Sequence, residues 1–250
     1  MFFYRYFLTL TPLLYIRSLK LHIFVSKSFN MPYLYCYKMV WDTEFAPNPH
    51  YGVLTLATCK PVIRRCAKVG DWISGWTANE VRDKNIIIHN FKDAQKLVYL
   101  AKIEKKMTFA EYWDAYPEKR PIQRIEREVK SQSNKRCGCI VISSPDDVYN
   151  CGDNIYEPLG DCPQGIDDYR QHPNNNHTEA DKKRDISGEY VLICKEFYYF
   201  GVGNPLKNNK EIFPYKVPRC KKIPYDECKK FIETIQSQYK HQMGIIPSKA

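Results

Sequence analysis

The sequence predicts an α+β fold: a small, curved, antiparallel or mixed sheet, or a partly closed barrel, with peripheral helices and an amphipathic helix near the C-terminus. Three observations predict it. Short strand patterns outnumber helical ones, strands and helices do not alternate as they do in a parallel α/β fold, and the longest helical pattern lies late in the chain. A chain of 250 residues, 44% hydrophobic, is long enough to bury such a core.

Residues 1–30 carry Arg5, Arg17, Lys20 and Lys27 and no acid. Residues 7–16 form an apolar run that is too short for a bilayer, which takes about 20 apolar residues, and no small-x-small cleavage site follows it. The expectation is an extension outside the fold, with a signal or anchor as the alternative, and a single domain over residues 31–250. That domain opens with Tyr33, Tyr35, Tyr37, Met39 and Trp41 alternating with Leu34, Cys36, Lys38 and Val40. A period of two marks a strand covered on both faces.

Residues 45–52 contain Pro47, Pro49 and Gly52, which deny the segment ladder hydrogen bonds and predict an irregular loop. Pro61 then suits the first position of a short helix. Val62, Cys66 and Val69 recur at i, i+4 and i+7, which predicts a packed side and leaves Arg64, Arg65 and Lys68 in solvent. Gly70-Asp71 ends it, and a strand follows over 72–76. Further strands are expected over 86–89, 96–104, 139–143 and 189–200, and Thr108 can cap a short helix over 109–113. In the last helix Asp226 is the expected N-cap, Cys228, Phe231, Ile232, Ile235 and Tyr239 form the apolar face, and Gly244 lies past the end. Polar excursions over 114–136 and 167–184 look too hydrophilic to pack.

The formal net charge of +10 attracts anions, so nucleic acid, nucleotides and acidic membranes lead as partners. No transmembrane segment is expected. Ten cysteines spread without dense regular spacing argue against a disulfide framework and for a reducing cytoplasm. Cys137, Cys139, Cys151 and Cys162, with His172 and His177, are badly spaced for zinc, so isolated thiols are expected and no metal is assigned. No Gly-rich phosphate loop, Walker motif or dinucleotide fingerprint occurs, which argues against nucleoside triphosphate hydrolysis and nicotinamide chemistry and leaves any cofactor open.

Several ordered strings stand out: Asp42-x-x-Phe45-Ala46-Pro47-Asn48-Pro49, Thr55-Leu56-Ala57-Thr58-Cys59-Lys60-Pro61-x-Ile63-Arg64-Arg65 and Ala67-Lys68-Val69-Gly70-Asp71-Trp72-Ile73. Later come Leu97-Val98-Tyr99, Thr108-Phe109-x-Glu111-Tyr112-Trp113, Lys119-Arg120-Pro121, Gly152-Asp153-Asn154-Ile155-Tyr156 and Phe197-Tyr198-Tyr199-Phe200-Gly201. Together they resemble the nucleotide modification associated domain 2 family over most of residues 31 to 203. The resemblance implies a component of bacterial or phage systems that make or handle modified bases, with a nucleic-acid or nucleotide substrate and other base-modification proteins as partners. The Lys68–Trp72 step is also similar to that of PUA-like small β-barrels, which bind RNA or modified bases.

A base is held by stacking on aromatic surfaces while polar groups read its edge. Phe45, Trp72, Trp76, Tyr198 and Tyr199 suit the stacking role, with Asn48 as edge reader. Lys60, Arg64, Arg65 and Lys68 suit the phosphates. Asp42, Asn48 and His177 are the catalytic candidates. Each has a plainer reading: the tryptophans and tyrosines as core, the helix cations as a solvated face, Asn48 as an Asx turn, His177 as a surface histidine, Asp71 as a turn residue. The leading expectation is nucleic-acid or nucleotide recognition in a base-modification pathway through an aromatic pocket and a basic patch. The alternatives are an enzyme that transfers or removes a group on a nucleobase, and a non-catalytic scaffold for one.

Overall fold

The computed structural model describes residues 31–83, 87–92, 95–123, 148–149, 152–174 and 176–247. The strand expected over 139–143, and Cys137, Cys139 and Cys151, lie outside them. Fifteen strands are described: β1 Tyr33–Asp42, β2 Leu54–Leu56, β3 Trp72–Asp83, β4 Ile88–Asn90, β5 Lys96–Lys102, β6 Lys105–Thr108, β7 Ile122–Gln123, β8 Val148–Tyr149, β9 Tyr156–Pro158, β10 Tyr169–Gln171, β11 Tyr190–Cys194, β12 Phe197–Tyr199, β13 Leu206–Lys207, β14 Lys221–Pro224 and β15 Gly244–Ile245. The α-helices are α1 Pro61–Cys66, α2 Phe109–Ala115, α3 Glu179–Ile186 and α4 Tyr225–Gln238.

The main sheet runs β14-β1-β3-β5-β12-β15, with β4 on β3 and β13 on β5. It curls into a half-barrel, so the α+β class with a small curved sheet holds. β1 and β3 are parallel, with Leu34 opposite Trp72 and Lys38 opposite Trp76, while β5 pairs antiparallel with β3 and with β12. A second sheet, β2-β11-β6, is antiparallel. Two expected strands each divide between the sheets. Residues 96–104 bend at Ile103 and Glu104, whose N–H groups go to the carbonyls of Asp71 and Ile193 (2.8 and 2.9 Å). Residues 189–200 divide into β11 and β12. A change of sheet needs a bend but keeps the apolar pattern, so periodicity alone does not mark it.

The period of two in β1 sorts its side chains. Leu34 and Cys36 join Trp72, Trp76, Leu97, Leu100 and Tyr198 beneath α4. The buried face of α4 is Cys228, Phe231, Ile232 and Ile235, as its spacing predicts. Burial of each large apolar side chain there stabilises by about 1.5–3 kcal/mol. On the other face Tyr35, Tyr37 and Met39 meet Ile73, Tyr99, Phe197 and Tyr199, together with Leu54, Leu56 and Leu192 of the second sheet. A third cluster, including Phe45, Val53, Phe109, Tyr112, Tyr156 and Val191, lies around α2. Thr108 caps α2 through its hydroxyl and Glu111 returns the bond, the reciprocal arrangement that satisfies two orphan N–H groups.

Three sequence expectations fail. Asp226 does not cap α4, whose N-cap is Pro224; it lies in the first turn instead. In α1 and just after it, Val62 and Val69 are exposed, and Ile63, Arg64 and Ala67 are buried. Helical spacing fits either side of so short a helix, and buried carbonyls that need a donor draw in Arg64. Residues 167–184 were expected not to pack, yet they form β10 and most of α3, because their own side chains satisfy the backbone, as described below. No helix among the described residues is long and apolar enough to cross a membrane.

Candidate active site

The segment leading out of β2 is held from below by a buried polar network. Asp153 accepts bonds from the Thr55 and Tyr112 hydroxyls (2.9 and 2.6 Å) and from Ala57 N–H (3.2 Å). Burial raises the Asp153 carboxyl, and the Lys119 charge together with these donors opposes the rise. Lys119, fully buried, donates to Thr55 Oγ1, Val53 O and both oxygens of Asn48. Asn48 Nδ2 in turn donates to Glu44 O (2.9 Å). Thus Asn48 is committed to loop structure and does not read a base, and the Lys119 and Asp153 strings fix the path from β2 to Cys59.

Cys59 and Lys60 follow with φ of 57° and 41°, consecutive left-handed residues without glycine. Such backbone persists only where the surroundings over-determine it, and it clusters at functional sites. Here both ends of Cys59 are clamped. Its N–H donates to Asp185 Oδ1 (2.8 Å), and its carbonyl accepts from Arg64 Nε (2.7 Å). The Arg64 guanidinium also donates to the carbonyls of Asp185 and Tyr190 (2.5 and 2.8 Å) and has no exposed surface. Burial lowers it to about 10, still cationic at neutral pH. A Cβ on Gly188 would sit 2.4 Å from its central carbon, so glycine is required there for the guanidinium to fit.

His177 arrives on the opposite wall. Asn174 Oδ1 accepts from the N–H groups of Asn176 and His177 (2.9 and 2.7 Å), while Asn174 and Gln171 amides donate to His177 O (3.1 and 2.9 Å). The asparagine-rich stretch is therefore a self-bonded turn, and Thr178 with Asp181 then starts α3, which carries Asp185. The His177 side chain is 9% exposed, not a surface histidine. Its Nε2 lies 3.4 Å from Cys59 Sγ, its Nδ1 lies 2.5 Å from Asp185 Oδ2, and the Phe45 ring packs edge-on to it at 5.1 Å.

Asp185 is fully buried and also accepts from the Tyr156 hydroxyl (2.8 Å). Its burial raises the carboxyl, but the bonds from His177, Cys59 N–H and Tyr156 outweigh that and hold it below the ordinary carboxylate value. For His177 burial pushes down, and the bonds to Asp185 and Cys59 outweigh it, raising the imidazole to about 9. Thiol, imidazole and carboxylate thus stand in series, the order that nucleophilic catalysis needs: nucleophile, base, and a third group that orients the base. The series faces a cavity of about 340 Å³ lined by residues that include Tyr37, Trp41, Phe45, Lys60 and Asn176.

The family model described as nucleotide modification associated domain 2 matches residues 31–248. The chain belongs to that family. No curated protein and no solved structure matches it. The nucleotide modification associated domain 2 description ties the fold to nucleotide modification in general.

Of the residues expected to act in this family member, His177, Phe45 and Lys60 meet at the cavity. The others do not. Trp72, Trp76, Tyr198 and Tyr199 are core, at 3% exposed or less, and Trp76 stacks on Phe213 at 4.5 Å, so none offers a free ring face as a base platform. Arg64 is consumed by carbonyls and is not a phosphate ligand. Arg65 lies exposed on α1 and Lys68 exposed just after it, and neither lines the cavity. Asp42 accepts from the Tyr199 hydroxyl and Val202 N–H, tying the end of β1 to the turn after β12. Asp71 forms the turn, accepting from Tyr33 and Lys68 N–H (both 2.8 Å). Sequence reasoning missed Cys59, Asp185, Tyr156 and Trp41. A cysteine with a histidine and an acid far away in sequence is a usable signal, but nine other cysteines obscured it.

Proposed function

We propose that this domain is a thiol-dependent enzyme of nucleotide modification that moves an acyl group, with Cys59 as nucleophile, His177 as acid and base, and Asp185 as the group that orients His177. The observation that carries this reading is the Cys59–His177–Asp185 series opening onto a cavity. It favours the enzyme alternative over recognition alone, because a binding pocket has no need of a buried carboxylate aligning an imidazole on a thiol.

In the proposed reaction the Cys59 thiolate attacks an acyl carbonyl carbon. A C–S bond forms and the carbonyl electron pair moves to oxygen. When the pair returns, the C–N or C–O bond breaks, and the leaving group takes the proton from His177 Nε2. An amine or water then attacks the thioester, gives its proton to His177, and releases Cys59 as thiolate. The family context supports a nucleobase amine, or an amide already on a base, as the nucleotide partner in these steps.

The test uses p-nitrophenyl acetate as acyl donor, with peptide mapping of the full chain. A burst of p-nitrophenol with acetyl label on Cys59, ahead of the exposed Cys66 and Cys220, is expected, and Cys59→Ser and Asp185→Asn should each suppress it. Labelling of Cys59 no faster than of Cys66 would sink the proposal.

A further inference from the structure

The cavity beside Cys59 has an electrostatic bias that the proposed reaction does not use. Besides His177, its lining includes Lys38 and Lys60, and among the described residues it includes no carboxylate. Lys60 is the informative member. Its ammonium is partly buried, 4.5 Å above the Tyr37 ring, and among the described residues it has no hydrogen bond or ion pair to an acid. Asp185, the carboxylate of the series, is fully buried and engaged by His177, Cys59, Tyr156 and Arg184. Burial lowers the Lys60 amine, the thiols of Cys59 and Cys220 oppose that, and Arg184 and Arg219 add to it. A partly desolvated ammonium with no acidic partner is relieved by an anion.

Shape adds a second constraint. A cavity of about 340 Å³ falls in the range of pockets that hold a small organic molecule. Trp41, 49% exposed, stands at its lining with the Arg82 guanidinium 5.2 Å from the ring, so it offers indole surface that no core residue covers.

Resting on the thiol-enzyme reading above, we infer that Lys60 is an oxyanion-recognising residue: the cavity takes a substrate bearing a phosphate or carboxylate group, which Lys60 holds while the reacting carbonyl lies on Cys59. The two sources of that oxyacid group are a nucleotide phosphate and the free carboxylate of an acyl-amino-acid donor.

Paired alkylating agents separate this inference from the catalytic reading. Iodoacetamide reports the reactivity of Cys59, and iodoacetate reports the same thiol with an anionic group attached to the probe. The full chain should alkylate at Cys59 with a rate ratio, iodoacetate over iodoacetamide, higher than at Cys66. Lys60→Gln should lower that ratio about fivefold to tenfold, the iodoacetamide rate of each variant serving as the reference for any change in the thiol itself, and Lys60→Arg should restore it. Protection of Cys59 from iodoacetamide by a deoxynucleoside 5′-monophosphate but not the deoxynucleoside assigns the phosphate, whereas protection by N-acetylglutamate assigns the carboxylate. A ratio unaltered in Lys60→Gln, or no protection by either anion, overturns the subsite even if iodoacetamide labels Cys59 rapidly. Slow iodoacetamide labelling overturns the catalytic reading instead.

Discussion

Trp76 and Trp41 lie on adjacent parallel strands of one sheet, and their fates are opposite. Trp76 has no exposed surface: Phe213 stacks on it, Phe231 tilts against it, and α4 closes over the group. Trp41, past the register shift in β1 that follows Met39, stands half exposed at the cavity with one cation near its ring. Residue type is the same in both places. What separates a core residue from a candidate ligand surface is whether a later element covers it, and the covering elements here, α4 and the segment around Phe213, come from the last forty residues of the chain. A similar contrast separates Arg64 from Lys60. Arg64 is buried with three carbonyls to satisfy it, whereas Lys60 lines the cavity with no acidic partner among the described residues.

The contrast can be broken or sharpened by mutation. The largest effect is expected at the open end, where Cys59→Ala should cut acyl transfer by about 10⁴-fold, measured as p-nitrophenol release, with the melting temperature nearly unchanged. The closed end should behave in reverse. Trp76→Ala removes a fully buried indole and should cost about 3–5 kcal/mol in denaturant unfolding, yet leave the Cys59 alkylation rate of the folded fraction intact. A Trp76→Ala protein that is stable but slow would abolish the distinction.

Arg64 couples the two kinds of behaviour. Arg64→Ala should destabilise by about 2–4 kcal/mol, because three buried or part-buried carbonyls lose their donor, and it should also slow Cys59 labelling, because the Cys59 carbonyl is one of them. Unfolding titrations and labelling rates measured together check both effects.

His177 gives a pH signature. Its imidazole is raised from 6.5 to about 9, so its contribution to stability is fully present below about pH 6.5 and is lost as pH rises through about 9. The difference in unfolding free energy between the parent chain and His177→Gln should shrink across that window, and acyl transfer should fall over its upper part. Asp185 has the opposite sign: held low, it stabilises above the ordinary carboxylate range and its contribution is lost as pH falls through its depressed value. The smallest effect is expected at Trp41→Ala, within about 0.5 kcal/mol of the parent, since little packing is lost there.

Much of the fold was legible because it follows from local patterns. The alternation from Tyr33 placed β1 and its two covered faces, Thr108 as a cap placed the start of α2, and the spacing of Cys228, Phe231, Ile232 and Ile235 fixed the face of α4. The site was less legible, for reasons of the same kind. His177 was named, but its surroundings looked solvated because asparagine and threonine side chains that bond their own backbone read as polar surface. Arg64 looked like a solvent-facing cation because nothing local records three carbonyls contributed by residues 59, 185 and 190. Cys59 carried no local mark of its role, since His177 and Asp185 lie more than a hundred positions away.

That separation has a consequence for the nascent chain. Cys59 Sγ meets His177 Nε2 across 118 residues, and its N–H meets Asp185 across 126. At about 5–20 residues per second of synthesis, the cysteine is added roughly 6–24 s before the histidine. Assembly of the thiol, imidazole and carboxylate series thus waits on the docking of a late segment, so the same long-range pairing that hid the site in the sequence also sets when it can form.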